Sequence, residues 1–200
     1  MNEVIKNMME RRSIRRFKQD RISKEDLNLI LRAGLYAPSA GGGQAAIVVA
    51  SLNQEANLGL GRINQAILRK IFGNIDSSVK ANLSVSKDQP SIIDDDTIEN
   101  AFYDAPVVLT IFAPKDHRYA TEDCCAVAEN IMLAAHSLGV GTCMIVRAED
   151  TFASEYGMKL QAEWGVDEGY IAKVNVAMGY PASAPAAAKP RKENRIMIVE

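Results

Sequence analysis

Cysteine, histidine and long apolar runs are scarce in this sequence of 200 residues. Its three cysteines, Cys124, Cys125 and Cys143, are odd in number and two are adjacent, so they do not form a disulfide framework and they suit a reducing compartment. No run approaches the roughly 20 apolar residues of a membrane-spanning helix, and the first residues lack a signal-peptide pattern. We therefore expect a cytoplasmic protein that does not enter a membrane.

The motifs of several enzyme classes are also missing. The sequence has no Gly-x-Ser-x-Gly elbow, no His-Glu-x-x-His pattern and no Cys-x-x-Cys pair, which excludes common hydrolase, zinc and redox-thiol signatures. His136 lies in an apolar helical pattern and is expected in the core or at an interface. Cys143 lies in a predicted strand and is expected to be an inert buried thiol. We expect no metal site.

The composition is that of an ordinary globular chain, with 48% hydrophobic and 24% charged residues. Such a chain is long enough to bury a sizeable core. The formal net charge is only -2, so the protein as a whole is not a polyanion binder and any anion site must be local.

Four arginines lie within the six residues of the segment Arg11–Arg16, here called the arginine segment. Guanidinium groups repel one another, and a bound anion between them relieves that repulsion because their planar donors match phosphate oxygens. The alternatives are a solvated basic turn and a nucleic-acid patch. The net negative charge and the lack of interleaved aromatic residues weigh against the nucleic-acid patch.

Two glycine-containing stretches allow close approach of the backbone to a ligand. The first, Pro38–Gln44, is called the glycine loop, and it is either a ligand-contacting loop or a flexible turn. It is not a phosphate-binding Walker loop, because no Gly-Lys-Ser/Thr follows. The second, Gly139–Gly141, follows a helix and lacks a third glycine, so it predicts a helix end and not a dinucleotide-binding motif.

Apolar periodicity predicts alternating helices and strands in one domain without repeats. Ser23 is expected to begin the second helix, and the stretch 73–98 is expected to be an irregular excursion and a candidate lid. The predicted helices are 2–10, 23–37, 54–72, 121–138 and 149–163, and the predicted strands are 46–52, 106–113, 140–146 and 171–178.

The C-terminal residues form an Ala/Pro-rich stretch, then a basic group, then the apolar run Ile196–Val199. An apolar strand after such a linker needs a sheet edge, and that edge can belong to a second subunit. A chain with an anion site and no evident acid, base or metal also indicates that a bound cofactor carries out the chemistry.

Several motifs, in this order along most of the chain, resemble the FMN-dependent nitroreductases. They are Arg11-Arg12-Ser13-Ile14-Arg15 with Phe17, Ala37-Pro38-Ser39-Ala40, Gln44 before a strand, Asn53-Gln54-Glu55, Ile63–Ile67, Ala128–Ala135, Leu138–Cys143, and Gly179-Tyr180-Pro181 before a basic tail.

The resemblance implies an α+β fold with a central, mainly antiparallel sheet flanked by helices, and a homodimer with FMN at the subunit interface. Residues 1–182 would form the FMN-binding domain. Residues 183–200, here called the arm, would cross to the partner and add a strand to its sheet.

The resemblance also implies the residues that bind the cofactor. Arg11, Arg12, Ser13 and Arg15 would contact the phosphate, ribityl chain and pyrimidine edge of FMN, and Asn64 would contact the flavin. The other implied residues are Lys189 and Arg191 at the phosphate, Pro38, Ser39, Ala40 and Gly42 from the other subunit, and the backbone near Ile145, Val146 and Arg147 at the flavin ring.

The implied activity is transfer of a hydride from NAD(P)H to FMN and then to a nitro, quinone or enone acceptor, with no catalytic side chain. An FMN-binding sensor or storage protein with little turnover is the alternative. The family often has Asn at the position of Gly42 and Pro-Trp at Ala45-Ala46, so the resemblance does not identify the physiological acceptor. No nucleotide-reading motif is visible in the sequence to choose between NADH and NADPH.

Overall fold

A four-stranded antiparallel sheet forms the centre of the computed structural model, which describes residues 1–73 and 97–200. Its strands are β1 (Ile47–Ser51), β2 (Val107–Pro114), β3 (Gly141–Ile145) and β4 (Tyr170–Gly179), in the spatial order β1-β2-β4-β3. All three neighbouring pairs are antiparallel. The central strands β2 and β4 are almost continuously apolar because helices cover both faces of the sheet.

Six α-helices surround the sheet in the described residues. They are α1 (Glu3–Glu10), α2 (Lys24–Leu35), α3 (Gln54–Gly73), α4 (Ala120–Ser137), α5 (Ala148–Phe152) and α6 (Glu155–Glu163). Alternate residues of β2 enter two separate cores, as the two-residue period of a strand requires. Leu109 packs with α2 and α4 on one face, whereas Val108 packs with α3, α5 and α6 on the other. The predicted α+β fold is confirmed.

Two predicted helix boundaries are confirmed by local hydrogen bonding and backbone conformation. The Ser23 hydroxyl oxygen accepts a hydrogen bond from the Asp26 backbone N–H at 3.0 Å, so it caps the start of α2. Gly139 has a φ of +73° just after α4, a conformation that glycine adopts without a steric penalty. The chain therefore turns directly from α4 into the edge strand β3.

The predicted single helix over 149–163 is wrong, because the structure has two helices there, α5 and α6. Ser154 has an extended backbone, and its hydroxyl oxygen accepts from the Gly157 N–H at 3.0 Å. That hydrogen bond starts a new helix. Apolar spacing continues across the break, which is why periodicity alone did not separate the two helices.

The arm contains no helix or strand within the single chain. Side chains Ile196 to Val199 are 84–94% exposed, so the apolar run has no sheet to join in one subunit. The predicted candidate lid lies outside the described residues. Within the described ranges, no helix combines the length and the hydropathy that crossing a membrane demands.

Candidate functional site

The arginine segment lies in extended conformation beside the edge strand β3. The Ile14 backbone N–H donates to the Thr142 carbonyl oxygen at 2.8 Å, and Ser13 pairs with Thr142 in a parallel bridge. The Ile14 side chain is buried directly over Gly141, where an added Cβ would come within 2.7 Å of Ile14 Cγ1. This close contact fixes the segment against the sheet and directs its neighbouring polar side chains.

Ser13 and Arg15, on either side of Ile14, lie close enough to Cys143 to act on its thiol, and the Cys143 Sγ donates a weak hydrogen bond to the Met144 carbonyl oxygen at 3.7 Å. Arg15 also lines a cavity with Tyr103. Burial raises the pKa of the Cys143 thiol above its ordinary value, so the thiol is protonated near neutral pH. Cys143 is therefore a packing and hydrogen-bonding group, in agreement with the prediction that it is inert.

Arg11 and Arg12 line a cavity of about 200 Å³ at the end of β3. Arg12 Nη1 donates to the carbonyl oxygens of Met9 and Arg11, at 2.7 and 2.6 Å. Arg11 Nη1 is buried and has no hydrogen-bond partner in the part of the chain that the structure describes. A buried charged donor without a partner is costly, and an anion in the adjoining cavity would satisfy it.

His136 and Pro185 lie on the wall of the same cavity. Burial and the charges of Arg11 and Arg12 lower the pKa of His136, so this histidine is neutral near pH 7. His136 is half-buried on the cavity wall and therefore lies outside the core, and its expected place at an interface stays a prediction. Pro185 brings the beginning of the arm to the arginine segment, and the Ala182 N–H donates to the Arg16 carbonyl oxygen at 3.0 Å.

A tight turn at Val146 and Arg147 connects β3 to α5 and is held from below by Asn64 on α3. Asn64 Nδ2 donates to the Val146 carbonyl oxygen and to Thr151 Oγ1, both at 2.9 Å. Asn64 Oδ1 accepts from Arg147 Nη2 at 3.0 Å. Asn64 is fully buried, so its amide lies beneath the turn and fixes it instead of presenting an exposed surface to a ligand.

The glycine loop is attached to α4. Ser39 Oγ accepts from the Gln44 N–H at 3.0 Å, and the Ala40 N–H donates to a carboxylate oxygen of Asp123 at 3.0 Å. The other carboxylate oxygen of Asp123 is 2.8 Å from His117 Nε2. The His117 hydrogen bond, followed by the Ala40 N–H, holds the pKa of Asp123 below its ordinary value despite burial.

The structure thus brings together one part of the predicted site and leaves another part separate. Arg11, Arg12, Ser13 and Arg15 belong to the arginine segment, where Arg11 and Arg12 line one cavity and Arg15 lines another with Tyr103. Lys189 and Arg191 are exposed in the arm. Pro38, Ser39, Ala40 and Gly42 belong to the glycine loop, whose described hydrogen bonds are internal or to Asp123.

Sequence reasoning missed two side chains of this site, Tyr103 and Arg147. Tyr103 lies in an irregular stretch that carries no periodic or motif signal, and the tertiary structure alone places it in a cavity with Arg15. For Arg147, the resemblance implied only that its backbone lies at the flavin ring. Among the described residues there is no group of three or more side chains suited to hold a metal ion.

A family model, the sequence of a relative and solved structures all match this chain with nitroreductases. Residues 8–180 match the model of the Nitroreductase family. A relative from Archaeoglobus fulgidus, "Putative NADH dehydrogenase/NAD(P)H nitroreductase", is 29% identical over 90% of this chain and 87% of its own length.

Two solved structures have the same fold over the full length of both chains. The nitroreductase with bound FMN from Bacteroides fragilis is 29% identical, with a TM-score of 0.76. The nitroreductase with bound FMN from Desulfitobacterium hafniense is 27% identical, with a TM-score of 0.80.

Proposed function

Because the chain belongs to the nitroreductase family, we propose that it is an FMN-dependent oxidoreductase. In this proposal it takes a hydride from NAD(P)H and passes it to a nitro, quinone or enone acceptor. The similarity to two solved nitroreductases that contain FMN supports the choice of cofactor.

The observation that carries the proposal is the buried, unpaired Nη1 of Arg11 beside an open cavity. A fold does not bury a charged donor without compensation, and a phosphate group supplies acceptor oxygens that suit a guanidinium. Arg12 lines the same cavity, and Ser13 adds a hydroxyl group to the same segment. The residues present therefore fit the phosphate end of FMN.

The remaining residues of the site are assigned in the same proposal. Arg15 would hold the pyrimidine edge of the flavin, and the backbone at Ile145 and Val146 would face its ring. Asn64 would act by fixing the Val146 carbonyl oxygen and Arg147, because both of its amide hydrogens are already donated within the chain.

A bound FMN would supply the hydride-transfer chemistry. The chain would supply position and charge: its cations favour electron-rich and anionic forms of the ligand, and no side-chain acid or base is needed for hydride transfer. The buried thiol of Cys143 stays outside the chemistry because its raised pKa keeps it protonated.

We propose that the working protein is a homodimer. One apolar face of α1 is exposed in the single chain, with Val4, Ile5, Met8 and Met9 each more than half exposed. The apolar end of the arm is exposed as well. A second copy would cover both, would bring Lys189 and Arg191 toward a phosphate, and would offer the Pro38, Ser39, Ala40 and Gly42 backbone of its glycine loop to the cofactor.

The test begins with the purified protein and its flavin content. We expect yellow protein, or colourless protein that becomes yellow when FMN is added, with one FMN per chain. Anaerobic addition of NADH or NADPH is then expected to bleach the flavin, and a nitroaromatic or quinone is expected to restore the colour.

Each result of this test has a defined meaning. Protein that neither contains nor accepts FMN would refute the proposal. A bound flavin that stays oxidised with both nicotinamide donors, yet is reduced by dithionite, would instead support an FMN sensor or storage protein.

A further inference from the structure

Arg147 has a backbone conformation that non-glycine residues rarely adopt. Its φ and ψ are +69° and 27°, at the junction of β3 and α5. Thr151 holds its carbonyl oxygen with both the backbone N–H, at 3.0 Å, and the hydroxyl group, at 2.7 Å. Strained residues held by several contacts occur at ligand sites more often than elsewhere.

The Arg147 side chain is half-buried and incompletely paired. Nη2 donates to Asn64 Oδ1 at 3.0 Å, whereas Nε is buried without a hydrogen-bond partner in the described residues. Within those same residues, Arg147 forms no salt bridge with a carboxylate. Burial lowers the pKa of Arg147, and the nearby Tyr103 and Asp150 raise it. Its guanidinium thus has the charge of Asp150 nearby but no direct ion pair with a carboxylate among the described residues.

Tyr103 connects Arg147 to Arg15. Tyr103 and Arg15 line the same cavity, and the charges of Arg15 and Arg147 both lower the pKa of the Tyr103 hydroxyl, against the rise that burial causes. Tyr103 and Asp104 also have positive φ values, +56° and +53°. Asn100 fixes this stretch, since its carbonyl oxygen accepts from the Tyr103 N–H at 3.2 Å and its Nδ2 donates to Asp104 at 2.6 Å.

Two cationic groups therefore occupy opposite ends of the arginine segment. Arg11 and Arg12 line the cavity next to His136 and Pro185. Arg15 lines a cavity with Tyr103, and Arg147 is close enough to Tyr103 for its charge to lower the pKa of that tyrosine. A ligand that spans the segment would meet one group with its phosphate and the other with a second electron-rich part.

We propose that Arg147 is a further cofactor-binding residue, whose guanidinium donates to a carbonyl oxygen or ring nitrogen of the FMN heterocycle beside Arg15 and Tyr103. The inference rests on the proposed function and adds to it a side-chain role for Arg147. Nη2 is engaged by Asn64 and Nε is buried, so Nη1, which has no hydrogen bond within the described residues, is the donor available for this contact.

The test separates the ring of the ligand from its phosphate by comparing FMN with riboflavin, which lacks the phosphate. Apoprotein variants are titrated with each ligand while flavin fluorescence is followed. Arg147→Met is expected to weaken binding of both ligands by about tenfold or more, the scale of a charge-assisted hydrogen bond. Arg11→Met is expected to weaken FMN binding and to leave riboflavin binding unchanged.

Two further variants distinguish ligand binding from a purely structural role. Glycine accepts a φ of +69° without strain, whereas loss of the guanidinium leaves the buried Asn64 Oδ1 without its donor. Arg147→Gly is therefore expected to lower the melting temperature of the apoprotein less than Arg147→Met does, while it weakens binding of both ligands. Arg62→Met removes an exposed cation on α3 that pairs with Glu99, and it is expected to change neither affinity.

The outcomes are distinguishable. If the wild-type protein binds FMN but Arg147→Met and Arg147→Gly bind riboflavin as tightly as wild type, the Arg147 assignment is refuted and the proposed function stands. Unchanged flavin affinities with a raised KM for the electron acceptor would also refute it, in favour of substrate binding. Wild-type protein that binds neither ligand would refute the proposed function itself.

Discussion

The arginine segment and the arm are both basic and irregular, but within a single chain only the arginine segment is held against the sheet. The segment is pinned to β3 through Ile14, and the Lys18 N–H donates to the Tyr180 carbonyl oxygen at 2.8 Å. The arm has no strand partner, and its apolar end is almost fully exposed. A cluster of cations becomes a defined site only where the neighbouring backbone is fixed, and within one chain that holds for the arginine segment and not for the arm.

Removal of the arm is expected to have the largest effect, on the oligomeric state of the protein. The full chain is expected to sediment as a dimer of 21.8-kDa subunits, and deletion of residues 183–200 is expected to yield mainly monomer by analytical ultracentrifugation. The physical reason is the loss of the buried apolar contact that the exposed run Ile196–Val199 would make in the partner. A variant of full length with serine at positions 196–199 serves as the matched control and is expected to dissociate similarly. A truncated protein that remains a tight dimer would contradict the crossing arm.

Loss of one cation from the arginine segment should weaken cofactor binding and leave dimer formation unchanged. Arg15→Ala is expected to weaken FMN binding by about 1–3 kcal/mol, the scale of a charge-assisted hydrogen bond. Fluorescence titration measures this change. Arg16→Ala, which removes the neighbouring exposed arginine, is the control, and an equal loss in both variants would assign the effect to general charge and not to Arg15.

The attachment of the segment to the sheet can be weakened directly. An added methyl group at Gly141 would lie 2.7 Å from Ile14 Cγ1, so Gly141→Ala is expected to lower the free energy of unfolding by about 1–2 kcal/mol. Urea unfolding measures the effect. Combination with Ile14→Ala should give a smaller loss than the sum of the two single variants, since the clash is then removed. Strict additivity would show that the contact is not the cause.

The glycine loop is held less firmly than the arginine segment and more firmly than the arm, because the carboxylate of Asp123 attaches it to α4. The lowered pKa of Asp123 means that its stabilising effect is complete above its unfolded-state value near 3.8 and is lost as the pH falls through the lower folded-state pKa. Asp123→Asn is expected to lower the free energy of unfolding by about 1 kcal/mol at pH 7. Urea unfolding from pH 7 to pH 3 should show the wild type and the variant converging in acid. A constant difference across that range would exclude the ionised carboxylate as the cause.

Sequence patterns predicted most of the fold because the relevant signals are local. The apolar run of β2, the cap at Ser23 and the helix end at Gly139 each act within a few residues, and each appears where it was expected. The break at Ser154 was missed because the same apolar spacing serves two short helices as well as one long helix.

The amino-acid sequence by itself determined the family and the antiparallel α+β fold, since these depend on motifs and periodicity, and it predicts which arginines would face the phosphate of FMN. Tertiary structure alone decided that Asn64 is buried beneath the β3–α5 turn and that Tyr103 shares a cavity with Arg15. Those residues are far apart along the chain, and their contacts arise only when α3, the arginine segment and β3 pack against one another.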